Sequence, residues 1–144
     1  MKHKAAFLGV ALLVIGGIVL AWLATRYLAD VRTSAELARV AAKTNLRLPR
    51  PYVDELVMEH AHVDGHRLVI DIHIPDIQRK DMNPKKLLRI QRQEQIDLNT
   101  AACADPDFAA LLQHKAEVAH RFLDAEHTLV FEIVATVPDC KLLR

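Results

Sequence analysis

The chain has 144 residues and nearly balanced charge, with 19 lysine and arginine residues against 18 aspartate and glutamate residues. A long apolar stretch at its start leaves room for a single domain of about 100 residues. The charge balance does not predict nucleic acid as a partner, because nucleic-acid binding needs a clustered basic surface.

The N-terminal segment carries no charged residue from Ala5 to Ala24. This length matches the roughly 20 residues that a helix needs to cross the hydrocarbon core of a bilayer. We therefore predict a membrane anchor in residues 1–28, with residues 5–24 in contact with the lipid bilayer. A cleaved signal peptide is the alternative. Basic residues stand on both sides of the stretch, so charge alone does not decide its orientation.

Residues 29–48 are predicted to form a juxtamembrane helix and a linker. The sequence TSAE is a capping box, in which Thr33 and Glu36 would satisfy backbone donors at the start of this helix. The helix is predicted to end near Asn45, because two prolines that follow favour extended backbone before them. The rest of the chain, residues 49–144, is predicted to form a small α+β domain.

The segment Met58–Ile74 contains four of the eight histidines and the turn signal Asp64–Gly65. An Asp-Gly pair between two apolar runs predicts a β-hairpin with a two-residue turn, which would place His62 opposite Arg67. Alternation along the two strands predicts a buried face made of Val57, Ala61, Val63, Leu68, Ile70, Ile72 and Ile74.

The opposite face of this hairpin carries the histidines. His60, His62 and Asp71 are the candidate ligands for a metal ion. In the predicted register, however, His73 lies about 13 Å along the strand from His60, and Arg67 beside His62 would repel a cation. We therefore predict no metal and no other cofactor. The surface that could face a protein partner consists of His60, His62, Arg67 and His73.

Two helices are predicted between this hairpin and the C-terminal segment. Asn83 and Pro84 have the pattern of an N-cap and a first helical residue, and Asp105 and Pro106 repeat it. The polar run 91–95 interrupts the apolar face of the first helix. We interpret this run as a solvated stretch, with a contact surface as the alternative. The apolar face is predicted to comprise Leu87, Leu88, Ile90, Leu98, Ala101 and Ala102.

The last segment predicts a second β-hairpin with its loop at residues 124–127. His120 falls on the inner face of this hairpin, where a core histidine with a satisfied hydrogen bond is expected. The predicted fold is therefore α+β: a transmembrane helix, then a helix, a β-hairpin, two helices and a β-hairpin, with an antiparallel sheet packed on the helices. The predicted inner face of the second hairpin comprises Val118, Phe122, Leu129, Phe131, Ile133 and Val137.

The chain contains two cysteines, Cys103 and Cys140. An even count behind an export-type N-terminus indicates a disulfide, and two unrelated buried thiols are the alternative. A disulfide across this loop would stabilise the fold by about 4 kcal/mol. It also favours the outward orientation, so the predicted location is the bacterial inner membrane, with a single pass and the C-terminal domain in the periplasm.

Four features follow one another in this chain: the sequence NLRLPRPYVDE, a glycine-turned hairpin, the sequence CADPDFAALLQHK and a closing strand that ends in VPDC. In this order the chain resembles a set of small bacterial envelope proteins with an N-terminal anchor and no assigned activity. The resemblance covers most of residues 44–140, and it implies an envelope location and the pairing of Cys103 with Cys140. Similar chains tend to have glycine at His114 and Lys115, and tyrosine at the positions of His120 and Phe122.

The composition does not favour an enzyme. The single serine, Ser34, lies at the start of a predicted helix, and none of the four glycines belongs to a phosphate-binding loop. We therefore expect no catalysis. The predicted function is that of a membrane-anchored, protein-binding or accessory module in the periplasm, such as an inhibitor or immunity-like protein or an envelope-assembly factor. The alternative is an envelope protein that binds metal or senses pH through the histidines of the first hairpin.

Overall fold

The structure, a computed structural model, describes the backbone of residues 2–53 and 55–136, and the side chains of residues 16–53 and 55–136. The chain divides into two compact units, residues 1–32 and 33–144. Its elements are α1 (Lys2–Asn45), β1 (Arg50–Pro51), β2 (Val57–Asp64), β3 (Arg67–His73), a 3₁₀ turn (Arg79–Asp81), α2 (Pro84–Ala104), α3 (Pro106–Gln113), β4 (Glu117–Leu123) and β5 (Leu129–Val134).

The N-terminal helix corrects one prediction. Within the part of the chain whose side chains are described, no helix is long and apolar enough to cross a membrane. The predicted transmembrane helix and single-pass inner-membrane location are therefore wrong, and contact of residues 5–24 with a bilayer is not supported.

Helix α1 continues through Thr33, so the predicted helix start at this residue is also wrong. No glycine or proline interrupts the chain from Ile18 to Leu48. The carboxylate of Glu36 does not cap a helix but forms an ion pair with Arg39, one turn further on, at 2.6 Å. The predicted helix end at Asn45 is confirmed. The side chains of this last part of α1 that enter the core are Leu37, Val40 and Ala41.

The five strands form one sheet in the order β1-β2-β3-β4-β5. The pairs β1–β2, β2–β3 and β4–β5 are antiparallel, whereas β3 and β4 are parallel. The prediction of an antiparallel sheet is therefore wrong at its centre. A parallel pair needs a long crossover connection, and α2 and α3 provide it. The protein is thus an α+β fold with a mixed sheet.

The first hairpin turns at Gly65–His66 and not at Asp64–Gly65. As a result, His62 lies opposite Val69 and not opposite Arg67. Gly65 has a φ of +60°, a conformation that glycine adopts without steric cost. Because the shift moves each pairing by an even number of residues, most side chains keep their predicted face. The predicted inward residues that are buried are Ala61, Leu68, Ile70, Ile72 and Ile74.

A β-bulge at Glu59 changes the faces at the start of β2. The ladder skips Glu59, so that Met58 and His60, on either side of it, pair with consecutive residues of β3. An extra residue of this kind turns the following side chains to the other face. Met58 is therefore buried, whereas Val57 is only half-buried, contrary to its predicted inward position.

The core lies between the inner face of the sheet and the helices. Phe122 of β4 stacks on Phe131 of β5 with ring centroids 4.3 Å apart. The second hairpin was predicted to have Leu129 on this face, but a register shift after Phe122 leaves it exposed. Val137 lies outside the described residues. The largest fully buried side chains include Phe122, Leu37, Leu68, Ile70, Ile72, Leu98 and Leu111.

Both predicted helix caps are present. The side chain of Asn83 accepts a hydrogen bond from the backbone N–H of Lys85 at 2.9 Å. Asp105 caps α3 in the same way through the N–H of Asp107, at 2.8 Å. These local bonds satisfy donors that have no partner within the helix, which fixes where each helix begins.

The polar run of α2 is solvated in part, as predicted, because Arg92 and Gln93 are exposed, but its last two residues form contacts within the protein. Glu94 is buried and accepts a hydrogen bond from the Tyr52 hydroxyl at 2.8 Å. Gln95 donates to the backbone carbonyl of Val134 at 2.7 Å. Glu94 and Gln95 therefore attach α2 to the segment after β1 and to β5.

Asn45, the last residue of α1, holds the helix against β2. Its side-chain nitrogen donates to the carbonyl of Ala61 at 2.7 Å, and its side-chain oxygen accepts from the N–H of Ala61 at 2.8 Å. Strand β1 pairs with only two residues of β2, so it does not extend to Ala61. The amide of Asn45 therefore takes the place of a neighbouring strand at this residue.

We expect Asn45→Ala to lower the free energy of unfolding by about 2 kcal/mol, because two hydrogen bonds are lost and a partly buried backbone pair is left without partners. Urea denaturation monitored by circular dichroism would measure the change. Thr44→Ala, one residue earlier in the helix, is the matched control and should change stability much less. Equal effects of the two substitutions would contradict the role of Asn45.

Candidate functional site

A cleft of about 570 Å³ opens beside α2 in the second unit. Its volume lies within the range of about 300–1,000 Å³ typical of ligand sites. The apolar residues that line it are Val53, Leu56, Ile74, Pro75, Ile77, Met82, Leu87, Ile90, Phe122 and Phe131.

The walls of the cleft come from separate parts of the chain. Leu87, Ile90 and Glu94 follow one another at helical spacing and place one face of α2 along the cleft. Phe122 and Phe131 contribute from the inner face of the sheet. A second cavity of about 180 Å³ shares part of the same lining, so the apolar surface is elongated. The residues common to both cavities are Ile77, Met82, Lys86, Leu87 and Ile90.

The polar groups around the cleft are mainly acidic. Lys86 is the one cation among its described lining residues, against the four carboxylates of Glu55, Asp76, Glu94 and Asp97. Burial raises the pKa of Glu94, and the hydrogen bond from Tyr52 opposes this shift in part. Burial, followed by the bond to Glu94, raises the pKa of Tyr52. The cleft thus combines an apolar interior with a negatively charged border.

The described side chains of the cleft are apolar groups, an amide, carboxylates and one lysine. No serine, cysteine or histidine is present among the described residues that line it. A hydroxyl or thiol nucleophile activated by a histidine base is therefore not formed there. Apolar contact and charge complementarity are the interactions that these side chains offer to a ligand.

The outer face of the sheet, predicted to face a partner, carries a network of ion pairs. Arg67 contacts Glu132 at 2.8 Å and Asp64 at 3.0 Å. Arg121 binds both carboxylate oxygens of Asp71, at 2.7 and 3.0 Å. The predicted role of Arg67 in binding a partner stays a prediction, and the structure places its guanidinium group among acidic neighbours of its own chain.

The three predicted metal-ligand candidates are close together but are not arranged as a site. His60 is exposed and its ring stacks on that of His62, with centroids 5.9 Å apart. His62 Nδ1 lies 3.7 Å from Asp71 Oδ2. Because Arg121 already occupies the carboxylate of Asp71, a cation at this point would meet a fixed positive charge.

His73 was assigned to the same surface, but it contacts a different pair of residues. Its Nδ1 lies 3.0 Å from Glu59 Oε1, and its ring stacks on that of His127. Within the described part of the chain, Glu59, His73 and His127 are the group whose ligand atoms converge. The sequence did not indicate this group, because the bulge displaces Glu59 and because His127 belongs to the other hairpin.

Cys103 lies half-buried in the last turn of α2. Cys140 lies outside the described residues. The pairing of the two cysteines therefore stays a prediction.

His120 is buried in the core, as predicted, but its hydrogen bonding differs from the expectation. Its Nδ1 atom is buried without a hydrogen-bond partner among the described residues. Burial, and to a smaller extent the charge of Arg50, lower the pKa of His120 to about 4. The ring of Tyr52 packs edge-on against it with centroids 5.8 Å apart. The imidazole is thus held in the neutral form.

Comparison with known proteins gives matches at the level of structure. No protein-family model matches the chain, and no curated protein sequence matches it either. A candidate secreted protein of Pseudomonas aeruginosa has a TM-score of 0.61 and 17% identity, over 78% of this chain and 96% of the other. The type II secretion system pilotin AspS from Vibrio cholerae has a TM-score of 0.56 and 13% identity, over 77% and 94%.

A third similar structure is the pilotin EpsS from the type 2 secretion system of Vibrio vulnificus. It has a TM-score of 0.57 and 14% identity, over 78% of this chain and 94% of the other. At this level of identity the likeness shows a shared fold. The fold is therefore one that pilotins use, and the alignments extend over nearly the whole length of these proteins.

We expect the buried His120 to make the protein less stable as the pH is lowered. As the pH falls from 6.5 towards 4, the unfolded chain binds a proton that the folded chain excludes, so the free energy of unfolding decreases. The contribution of this residue is about 3 kcal/mol, fully lost below the folded pKa. Urea denaturation of the protein and of His120→Phe, across this pH range, would measure it.

The His120→Phe variant should show a smaller decrease in stability over that range, because phenylalanine does not titrate. His66→Gln, in the exposed turn of the first hairpin, is the control and should follow the pH profile of the unmodified protein. A His120→Phe profile that coincides with the unmodified one would contradict the assignment.

Proposed function

We propose that this protein is a non-catalytic accessory protein of the bacterial cell envelope that binds an apolar segment of a protein partner in the cleft beside α2. The observation that carries the proposal is the cleft itself, which is elongated, apolar inside and acidic at its border.

The shared fold favours a partner in a secretion or assembly system. Two of the similar structures are pilotins of type II secretion systems, and a third is a candidate secreted protein. Of the two roles expected from the sequence, this supports an envelope-assembly factor over an inhibitor or immunity-like protein. The support is that of a common scaffold, and the cleft supplies the independent argument for binding.

The chemistry of the cleft specifies the segment that it would bind. Its apolar residues from α2 and from the sheet would bury large aliphatic or aromatic side chains, which contribute most of the binding energy in such grooves. The exposed carboxylates of Glu55, Asp76 and Asp97 would attract lysine or arginine. The predicted partner segment is therefore amphipathic, with apolar residues for the cleft and at least one basic residue beside them.

Site-specific photocrosslinking in cells of the native host would identify the partner. Gln93 lines the cleft, whereas Arg92, the preceding residue, lines a separate shallow surface. A photoreactive amino acid at position 93 should give a protein crosslink that position 92 does not give. Mass spectrometry should locate the crosslink in a segment with the composition described above. Equal crosslinking from both positions, or crosslinks to no protein, would argue against binding in the cleft.

We expect Leu87→Arg to reduce the affinity for a synthetic peptide of the crosslinked segment by at least about 10-fold, because it replaces an apolar contact with a charge that repels a basic ligand. Isothermal titration calorimetry would measure the affinity. Leu88→Arg is the matched control, since Leu88 is 57% exposed and is not part of the cleft. Circular dichroism would verify that both variants keep the fold. Equal losses in both variants would contradict the proposed site.

A further inference from the structure

Three side chains from separate elements converge at one end of the outer face of the sheet: Glu59, His73 and His127. Their ligand atoms all lie within 4.8 Å of one another. The geometry points to a binding site for a divalent transition-metal ion, Zn²⁺, formed by these three residues. The site is on the face opposite to the cleft, and the inference does not depend on the proposed function.

The fold places each ligand by a specific local feature. Glu59 is the bulged residue of β2, and a bulge redirects a side chain that regular alternation would have sent to the core face. His73 is the last residue of β3. His127 lies in the turn between β4 and β5 with a φ of +57°, a conformation in which histidine is enriched relative to most residues.

The turn that carries His127 is fixed by a buried carboxylate. Asp124 accepts hydrogen bonds from the backbone N–H groups of Arg79 at 3.0 Å, Glu126 at 2.9 Å and Thr128 at 2.8 Å. These bonds hold the pKa of Asp124 below its usual range. Both residues of the turn that flank His127 are thus tied to one side chain. A ligand held in this way loses little conformational freedom when it binds an ion.

Two nitrogen–oxygen distances in the group are close to the ligand spacing of a small tetrahedral ion, and they end on the two different oxygens of Glu59. His73 Nδ1 is 3.0 Å from Glu59 Oε1, and His127 Nε2 is 3.3 Å from Glu59 Oε2. Ligand atoms about 2.0–2.1 Å from zinc stand about 3.3 Å apart in a tetrahedral site. The two imidazole rings stack with centroids 4.5 Å apart and an interplanar angle of 20°. Both rings therefore direct a nitrogen towards the same carboxylate.

The donor set selects the class of ion. Two imidazole nitrogens and one carboxylate oxygen suit zinc, whereas Mg²⁺ and Ca²⁺ prefer oxygen ligands and Cu⁺ prefers sulfur. Glu59 and His73 are partly buried, with side chains 33% and 17% exposed, but His127 is 59% exposed. The site is therefore open on one side, and a fourth ligand could be water or a side chain of a partner.

The surroundings of His73 do not oppose a cation. Its neighbours across the two adjacent strands are Val57 and Leu123, both apolar. The Nε2 atom of His73 is buried and has no hydrogen-bond partner among the described residues, so Nδ1 is the ring atom that has a polar contact. This contrasts with the neighbouring His62, whose carboxylate neighbour Asp71 is neutralised by Arg121.

Zinc titration of the purified full chain tests the inference, with all affinity tags removed and prior metal stripped by a chelator. We expect a 1:1 complex with a Kd in the micromolar range or tighter by isothermal titration calorimetry. Glu59→Gln and His127→Asn should each weaken binding by more than about 10-fold, because each removes a direct ligand. Asparagine is chosen at position 127 because it tolerates positive φ. His60→Asn, on the same hairpin, is the control and should bind zinc as the unmodified protein does.

Two further measurements separate a site from a structural role of the same residues. Nuclear magnetic resonance of the histidine side chains should show zinc-induced shifts at His73 Nδ1 and His127 Nε2. The variant His127→Asn should keep the melting temperature of the metal-free protein but lose the increase that zinc produces, since only binding to the folded state stabilises it. Absence of micromolar binding, or weakening by His60→Asn and not by His127→Asn, would overturn the inference.

Discussion

The parallel pairing of β3 with β4 is the constraint on which the rest of the structure depends. Parallel neighbours cannot be joined by a tight turn, so the chain between them crosses the sheet as α2 and α3. This crossover brings Leu87 and Ile90 to the side of the sheet where Phe122 and Phe131 lie, which creates the cleft. The same pairing makes β3 a central strand, and its residues from Leu68 to Ile72 are buried on both faces.

Features that depend on a few adjacent residues could be predicted from the sequence, and features that depend on distant pairing could not. The caps at Asn83 and Asp105 were predicted, because each acts on a backbone N–H two residues away. The first hairpin was predicted with its turn displaced by one residue. The parallel partner of β3 lies about 50 residues further along the chain, so neighbouring residues do not identify it. The almost unbroken apolar run Leu68–Ile72 was the available signal, since strands buried on both faces have this composition.

The candidate sites show the same limit. The cleft collects residues from the segment after β1, the loop after β3, α2 and the second hairpin, so no single stretch of sequence indicates it. The sequence drew attention to the histidine-rich hairpin, and among the described residues His73 is the histidine of that hairpin that joins a converging group. Its partners depend on a bulge at Glu59 and on the docking of the second hairpin beside the first. Glu94 and Gln95 were predicted to be solvated because they are polar. Their hydrogen bonds to Tyr52 and Val134 instead hold them against other parts of the protein.

The side-chain amides that attach the helices to the sheet also bear on self-association. An exposed strand edge can pair with the edge of another molecule, which is the first step towards ordered aggregates. On one side of the sheet, the side chain of Asn45 accepts a hydrogen bond from the backbone N–H of Ala61. On the other side, the side chain of Asn99 accepts a hydrogen bond from the backbone N–H of Thr136, just beyond β5. Each amide uses up a backbone group that an incoming strand would need. The helices therefore block the pairing of a further strand at Ala61 and at Thr136, one residue on each side of the sheet.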